Sequence, residues 1–157
     1  MIGAGAKAAA AHASGRSSGL DVSSLEGPWG EVRGGTQGII ITSVDHKKSK
    51  LMIEELSKDG GFDAIIALCS KDTAQCKVLY GAFPFQSKGL QRFAFFTFIG
   101  KDVAGMARGR VSLQKAGVYG GFEGVSADLT FNGLEELTRE SVTQALQRLP
   151  GVEDLVL

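Results

Sequence analysis

The pattern of hydrophobic and polar positions predicts two pairs of strands and one later, shorter strand. Runs rich in apolar, β-branched and aromatic residues occur in the order GIIITSVD, LMIEEL, KVLYGAFPF and FAFFTFIG, and ADLTF follows. A short polar link joins the first two runs and QSKGLQR joins the next two, so each pair is typical of an antiparallel hairpin. Because FAFFTFIG is apolar at nearly every position, it predicts a strand covered on both faces.

Four helices are predicted between and after these strands, because apolar residues recur there three and four positions apart. We expect the helices to begin near Asp21, Phe62, Asp102 and Asn132. Asp102 and Asn132 would act as N-caps of the last two helices. The order helix, two strands, helix, two strands, helix, strand, helix predicts an α/β fold of the α+β type, with a mixed central sheet flanked by helices on both faces.

The helix after Asp102 is predicted to turn one side to the sheet and to present positive charge on the other. At 100° per residue, three basic residues fall on one line that would face solvent: Lys101, Arg108 and Lys115. Three apolar residues fall opposite and would face the sheet: Val103, Met106 and Leu113. Several glycines near its end predict a short or frayed helix, because each costs about 1 kcal/mol relative to Ala.

Two segments differ in composition, which predicts one domain and an extension. Residues 1–19 are mostly small and contain little that a core could bury, so we expect a flexible N-terminal extension, with a transient helix at Lys7 to Ala13. Residues 20–157 are predicted to form a single domain. The chain shows neither the pattern of a signal peptide nor the roughly 20 apolar residues of a membrane helix.

Charge is balanced overall but is unevenly distributed. The formal net charge is +0, which argues against general binding to nucleic acid or to a membrane. Between Lys88 and Lys115, however, six basic residues face one acidic residue, Asp102. This excess lies on one strand and the helix that follows it, so it predicts either a solvated face or a surface for an acidic partner.

The residue types that support catalysis or metal binding are sparse. Cys69 and Cys76 are too few for a disulfide framework and are typical of thiols in a reducing cytosol. Neither His12 nor His46 has companions with zinc-ligand spacing. No Ser-His-Asp or Cys-His arrangement is apparent, so the sequence predicts neither an enzyme nor a metal or cofactor site.

Several strings, colinear along the chain, resemble the actin-depolymerising-factor homology family and, within it, the coactosins. The strongest similarity lies in FAFFTFIGKDVAGMARGRVSLQK, where a strand ends in Ile-Gly and is followed by Val-x-Gly-hydrophobic and Arg-x-basic. LDVSSLEGPWGEVRGG resembles the family's first helix, and VLYGAFPF resembles its strand before the central hairpin. The resemblance covers about residues 20–149. It implies a mostly antiparallel, five- to six-stranded mixed sheet between helices.

The resemblance also implies a function and a set of binding residues. It implies a protein of the cytoplasm and the actin cytoskeleton that binds the sides of actin filaments (F-actin) and regulates their dynamics without strong severing, catalysis or a cofactor. The family's filament-binding basic position falls on Arg92, and the basic pair of its long helix falls on Arg108 and Arg110. Together with the neighbouring basic residues, the predicted actin-binding set is Lys88, Arg92, Lys101, Arg108, Arg110 and Lys115.

A different class of function stays open at this point. The chain could be a cytosolic adaptor whose partner is another protein, bound either through the acidic C-terminal helix, near whose end Arg148 lies, or through the N-terminal extension. Self-association through exposed strand edges belongs to the same class.

Overall fold

The computed structural model describes residues 7–10, 19–59 and 61–157, whose strands form one six-stranded sheet with helices on both faces. The strands are β1 (Lys7–Ala10), β2 (Ile39–Asp45), β3 (Lys50–Ser57), β4 (Val78–Ser87), β5 (Leu90–Ile99) and β6 (Ala127–Asn132). The α-helices are α1 (Glu26–Arg33), α2 (Gly61–Cys69), α3 (Gly105–Tyr119) and α4 (Arg139–Gln147). The predicted α+β architecture is confirmed.

The sheet is mixed and mostly antiparallel, as the resemblance implied. Its strand order is β1-β6-β5-β4-β2-β3. Every neighbouring pair is antiparallel except β5 and β6, which run parallel because α3 connects them. The two predicted hairpins are β2–β3 and β4–β5. The second closes with a two-residue turn in which Lys88 and Gly89 have φ angles of 55° and 74°, the positive values that a type I′ turn requires.

Two hydrophobic cores lie on the two faces of the sheet, and β5 supplies aromatic rings to both. Phe96 and Phe98 pack with α2 and α4 on one face. Phe95 packs with α1 and the C-terminal end of α3 on the other. Alternate side chains of a strand point to opposite faces, so a strand buried on both sides has few polar positions. This explains why β5 is apolar from Phe93 to Ile99 except at Thr97.

Trp29 of α1 anchors the first helix in the second core, where Leu25 and Val32 also pack. The ring is 4% exposed and packs edge-on against Phe93 and Phe122, with centroids 5.5 and 5.2 Å away. Its indole N–H donates to the carbonyl oxygen of Glu123 at 2.9 Å. Burying the ring therefore leaves no unsatisfied donor.

The predicted starts of the last two helices are wrong by a few residues. Ala104, not Asp102, occupies the N-cap of α3 and makes no side-chain capping bond. Asn132 ends β6 instead of capping a helix. A 3-10 turn follows, and α4 begins after Thr138, whose side chain accepts from the backbone N–H of Ser141 at 3.0 Å. Asn132 pairs with Ile99 in the sheet, whereas Asp102 lies in the turn after β5, where its backbone N–H donates to the carbonyl oxygen of Gln75 at 2.8 Å. At both positions the side chain suits a cap, but backbone contacts of the surrounding structure decide.

The expectation that α3 would be short or frayed is also wrong, because the helix runs without interruption over 15 residues. Val111, Val118 and Tyr119 are buried along it. Packing of these side chains on the sheet offsets the intrinsic cost of the glycines, since tertiary contacts supply most of the stability of a helix in a protein.

The helix expected within residues 7–13 is, over the described residues, a strand. Lys7–Ala10 pairs antiparallel with β6, with Lys7 opposite Thr130 and Ala10 opposite Ala127. The free edge of β6 offers backbone donors and acceptors that outweigh the weak helix preference of four isolated residues. The rest of the predicted extension up to residue 18 lies outside the described residues.

We expect Gly81→Ala to lower the free energy of unfolding by about 3 kcal/mol, because the added Cβ overpacks the sheet. At this position in β4, a Cβ would collide with the carbonyl oxygen of Ile40 and would lie 2.7 Å from the ring of Phe96. Urea denaturation gives the measurement. Gly109→Ala is the matched control: nothing lies within 4 Å of its Cβ position on α3, so it should stabilise the helix by about 1 kcal/mol. Equal effects of the two substitutions would contradict the packing described for β4.

Candidate functional site

An apolar stripe holds the inner side of α3 against the sheet. Val111 packs with Ile99 and Val103 near the end of β5. Further along, Tyr119 packs edge-on against Phe95, with ring centroids 5.2 Å apart. Val111 and Tyr119 are eight residues apart and therefore lie on one side of the helix.

Two polar contacts complete the inner side of α3. The Tyr80 hydroxyl donates to Oε1 of Gln114 at 2.7 Å. Burial raises the pKa of Tyr80 well above its usual value, so the hydroxyl stays protonated and remains a donor. Lys115 Nζ lies 2.9 Å from Oδ2 of Asp128, whose side chain is only 5% exposed. These two contacts flank the apolar stripe and fix which side of α3 faces the sheet.

The opposite side of α3 presents large apolar residues to solvent. Met106 is 75% exposed and Leu113 is 73% exposed. Arg110 lies between them at spacings of four and three, so the three side chains share one side of the helix. We call Met106, Arg110 and Leu113 the α3 outer face. Exposed apolar residues grouped on one surface are typical of an interaction site.

The predicted orientation of α3 is therefore wrong at its centre. Met106 and Leu113 were expected to face the sheet, and Lys115 was expected to face solvent. The sequence carries a second stripe, Val111 and Val118, that indicates the true orientation. Hydrophobicity alone favoured the wrong stripe, because it cannot account for a buried acidic partner such as Asp128.

Arg108 ties the start of α3 to the end of β5. Its Nη2 donates to the carbonyl oxygens of Gly100 and Lys101 at 3.0 and 3.4 Å, and its Nε donates to that of Val103 at 3.2 Å. These acceptors are neutral, so the guanidinium keeps its full charge at the surface. Lys101 is exposed beside it. Arg108 and Lys101 therefore form a positive group at the start of α3.

The six predicted binding residues do not form one strip. Lys88 and Arg92 lie at the start of β5, whereas Lys101, Arg108 and Arg110 follow its end. Eight residues of extended chain between Arg92 and Gly100 span roughly 26 Å. Lys115 belongs to neither group, because it is paired with Asp128 on the inner side of α3. The structure thus divides the set into two basic groups and one structural lysine.

Lys88, one of the predicted binding residues, also makes contacts within the fold. Its backbone N–H donates to the carbonyl oxygen of Glu153 at 2.9 Å, and its Nζ lies 3.4 Å from a carboxylate oxygen of the same residue. The two side chains are 49% and 68% exposed. An exposed pair of this kind is worth at most about 1 kcal/mol, so a competing acidic partner can displace it.

Sequence reasoning missed the contribution of the β2–β3 turn. A small cleft of about 190 Å³ brings His46 and Ser49 of this turn next to Arg110 and Leu113 of α3. The sequence indicated only a short polar link between these two strands. Its proximity to α3 depends on the strand order, in which the β2–β3 hairpin lies beside β4.

The described part of the chain contains no group of three or more His, Cys, Asp or Glu residues that could hold a metal ion. In the same residues, no helix is both long and apolar enough to cross a membrane.

Solved structures with the same fold are similar to this chain at low sequence identity. Coactosin from Entamoeba histolytica is 18% identical with a TM-score of 0.70, covering 82% of this chain and 95% of that one. Human coactosin-like protein is 17% identical with a TM-score of 0.70, covering 88% and 96%. Mouse coactosin, described as an actin filament binding protein, is 17% identical with a TM-score of 0.65, covering 85% and 94%. A comparison with curated protein sequences found no match.

Sequence similarity to a family extends over most of the chain. Residues 24–147 match the family model described as cofilin/tropomyosin-type actin-binding protein. The matched region runs from the turn before α1 to the end of α4 and so contains α3 and both basic groups. The chain belongs to the cofilin/tropomyosin-type family of actin-binding proteins.

Proposed function

We propose that this protein binds the side of actin filaments through the α3 outer face and the two basic groups that flank β5. The observation that carries the proposal is the exposure of Met106 and Leu113 on either side of Arg110. Membership of an actin-binding family supports actin as the partner. The similarity to mouse coactosin, described as an actin filament binding protein, supports the filament as the bound form.

Apolar contacts and charged groups contribute differently to the proposed binding. Covering Met106 and Leu113 removes apolar surface from water, which is worth roughly 25 cal/mol per Å² and supplies most of the affinity. Exposed charge pairs contribute only about 0–1 kcal/mol each. The cations mainly attract and orient an acidic partner, which makes binding sensitive to salt.

The separation of the basic groups favours a polymer as the partner. Arg92 and Arg108 lie near opposite ends of β5. A filament presents neighbouring subunits, so each group can meet a different one, and two linked weak contacts bind more tightly than either alone. We propose that the protein regulates filament dynamics in the cytoplasm without strong severing and without catalysis.

We expect Met106→Ser combined with Leu113→Ser to weaken co-sedimentation with actin filaments roughly thirtyfold, through the loss of about 2 kcal/mol of apolar contact. The melting temperature should stay nearly constant, because both side chains are exposed. Met52→Ser serves as the control, since Met52 is a 42% exposed methionine on β3, away from α3. Unchanged pelleting of the double variant would show that the α3 outer face is not the contact.

Raising the salt concentration from about 50 to 200 mM should weaken filament binding roughly fivefold, because screening reduces the attraction between the basic groups and an acidic surface. Co-sedimentation at the two concentrations gives the measurement. Binding that is independent of salt would leave the basic groups without a role.

Lys115→Met should lower the free energy of unfolding by about 2 kcal/mol, because the nearly buried carboxylate of Asp128 loses its cation. Urea denaturation gives the measurement, with Lys101→Met as the matched control at an exposed lysine. Equal stability of the two variants would mean that Lys115 is not structural and is free to bind a partner.

A further inference from the structure

Two arginines line one cleft of about 500 Å³ at the start of β5. It lies between the C-terminal end of α1 and the loop that leads into β6. Among the described residues, Arg33 and Arg92 line it along with Gln91 and Ser126, and no acidic residue does. Two like charges at one cleft repel each other. An anion bound between them would attract both guanidinium groups and so offset their mutual repulsion.

The backbone of the loop before β6 supports the Arg33 guanidinium. A Cβ on Gly124 would lie 3.3 Å from the Cζ, Nε and Nη2 atoms of Arg33, so these atoms pack flat over the glycine. Gly124 has a φ of +90° and no side chain, and both features make room for this approach. The guanidinium is therefore positioned at the cleft although the residue is exposed.

The donors of Arg33 are not used to cap α1. The carbonyl oxygens of Gly30, Glu31 and Val32 accept from the backbone N–H groups of Gly34, Thr36 and Gly35, at 2.9, 2.9 and 3.2 Å. The last turn of α1 is thus satisfied by its own backbone. An arginine near a helix C-terminus often bonds these carbonyls, but here no such role remains.

Arg33 and Arg92 differ from the arginines that have structural roles. Arg108 donates to three carbonyl oxygens, and Arg139 donates to Asp63 and to Leu157. The side chains of Arg33 and Arg92 make no hydrogen bond or ion pair with residues of the described ranges. Each guanidinium carries five N–H donors in a planar fork that matches a carboxylate.

We propose that the Arg33–Arg92 cleft binds the carboxylate of an acidic side chain on the actin filament, so that Arg33 is a second recognition residue beside Arg92. This inference rests on the proposed function and adds the group that the cleft accepts. The amide of Gln91 and the hydroxyl of Ser126 supply further donors at its rim. A carboxylate held by two guanidinium forks is bound more strongly than one at an ordinary surface pair.

Filament affinity of Arg33→Gln, Arg92→Gln and the double variant tests the cleft. Each single variant should raise the Kd about tenfold, since each loses charge-assisted hydrogen bonds. Because both arginines hold one carboxylate, the double variant should lose much less than the hundredfold product of independent sites. Lys71→Gln is the control: it removes one exposed charge near α2, on the other face of the sheet, and should bind within about twofold of the wild type.

Three results in this experiment would overturn the inference: wild-type binding by Arg33→Gln, a double variant that equals the product of the single losses, or an equal loss in Lys71→Gln. The last would mean that only net charge matters. Arg33→Lys refines the result, because a lysine keeps the charge but not the fork, and it should recover only part of the affinity.

A second measurement separates failure of the cleft from failure of the proposed function. In the full chain, succinate added at low ionic strength should shift the Nε–H resonances of Arg33 and Arg92 with one common dissociation constant, and should leave that of Arg108 in place. Sodium chloride at equal ionic strength is the control. If the wild type does not pellet with actin but these resonances shift, the cleft stands and the filament proposal fails. If it pellets and they do not shift, the cleft is wrong and the filament proposal stands.

Discussion

The ion pair between Lys115 and Asp128 determines which side of α3 meets solvent, and the surface of the protein follows from that choice. Asp128 is almost fully buried, so its charge is tolerable only with a cation close by. Lys115 supplies that cation from the inner side of the helix. The hydrogen bond from Tyr80 to Gln114 holds the other flank at the same rotation. Together they set the helix so that Met106 is turned outward.

The outer side of α3 departs from the usual amphipathic pattern of a surface helix. Hydrophobic residues normally cover the core while charged residues face water. In α3 a lysine with a long aliphatic stem covers part of the sheet, and large apolar residues are exposed. The exposure of Met106 and Leu113 forgoes some folding free energy, which a partner that covers them recovers. The proposed binding surface thus follows from the orientation of the helix.

The basic side chains of the protein differ in how firmly their contacts hold them in place. Arg108 is fixed by neutral carbonyl oxygens and so presents its charge in a defined place. Lys88 forms an exposed ion pair with Glu153, in which an acidic partner can replace the Glu153 carboxylate. Arg33 and Arg92 line one cleft, and no acidic residue of the described ranges lines it with them. Their number and sequence positions do not distinguish these cations, whereas their contacts separate the anchored Arg108 from the proposed recognition residues Arg33 and Arg92.

Strands β2 to β6, the two hairpins, the α+β class and the family are predictable from the sequence, because the nearly continuous apolar run of β5 and the turn residues Lys88-Gly89 are local properties. The rotation of α3, the pairing of β1 with β6, and the division of the basic residues into two groups are visible only in the folded chain. Each of these depends on contacts between residues far apart in the chain. Hydrophobic periodicity cannot encode such contacts, because it shows which residues are apolar but not which residues they contact in the folded chain.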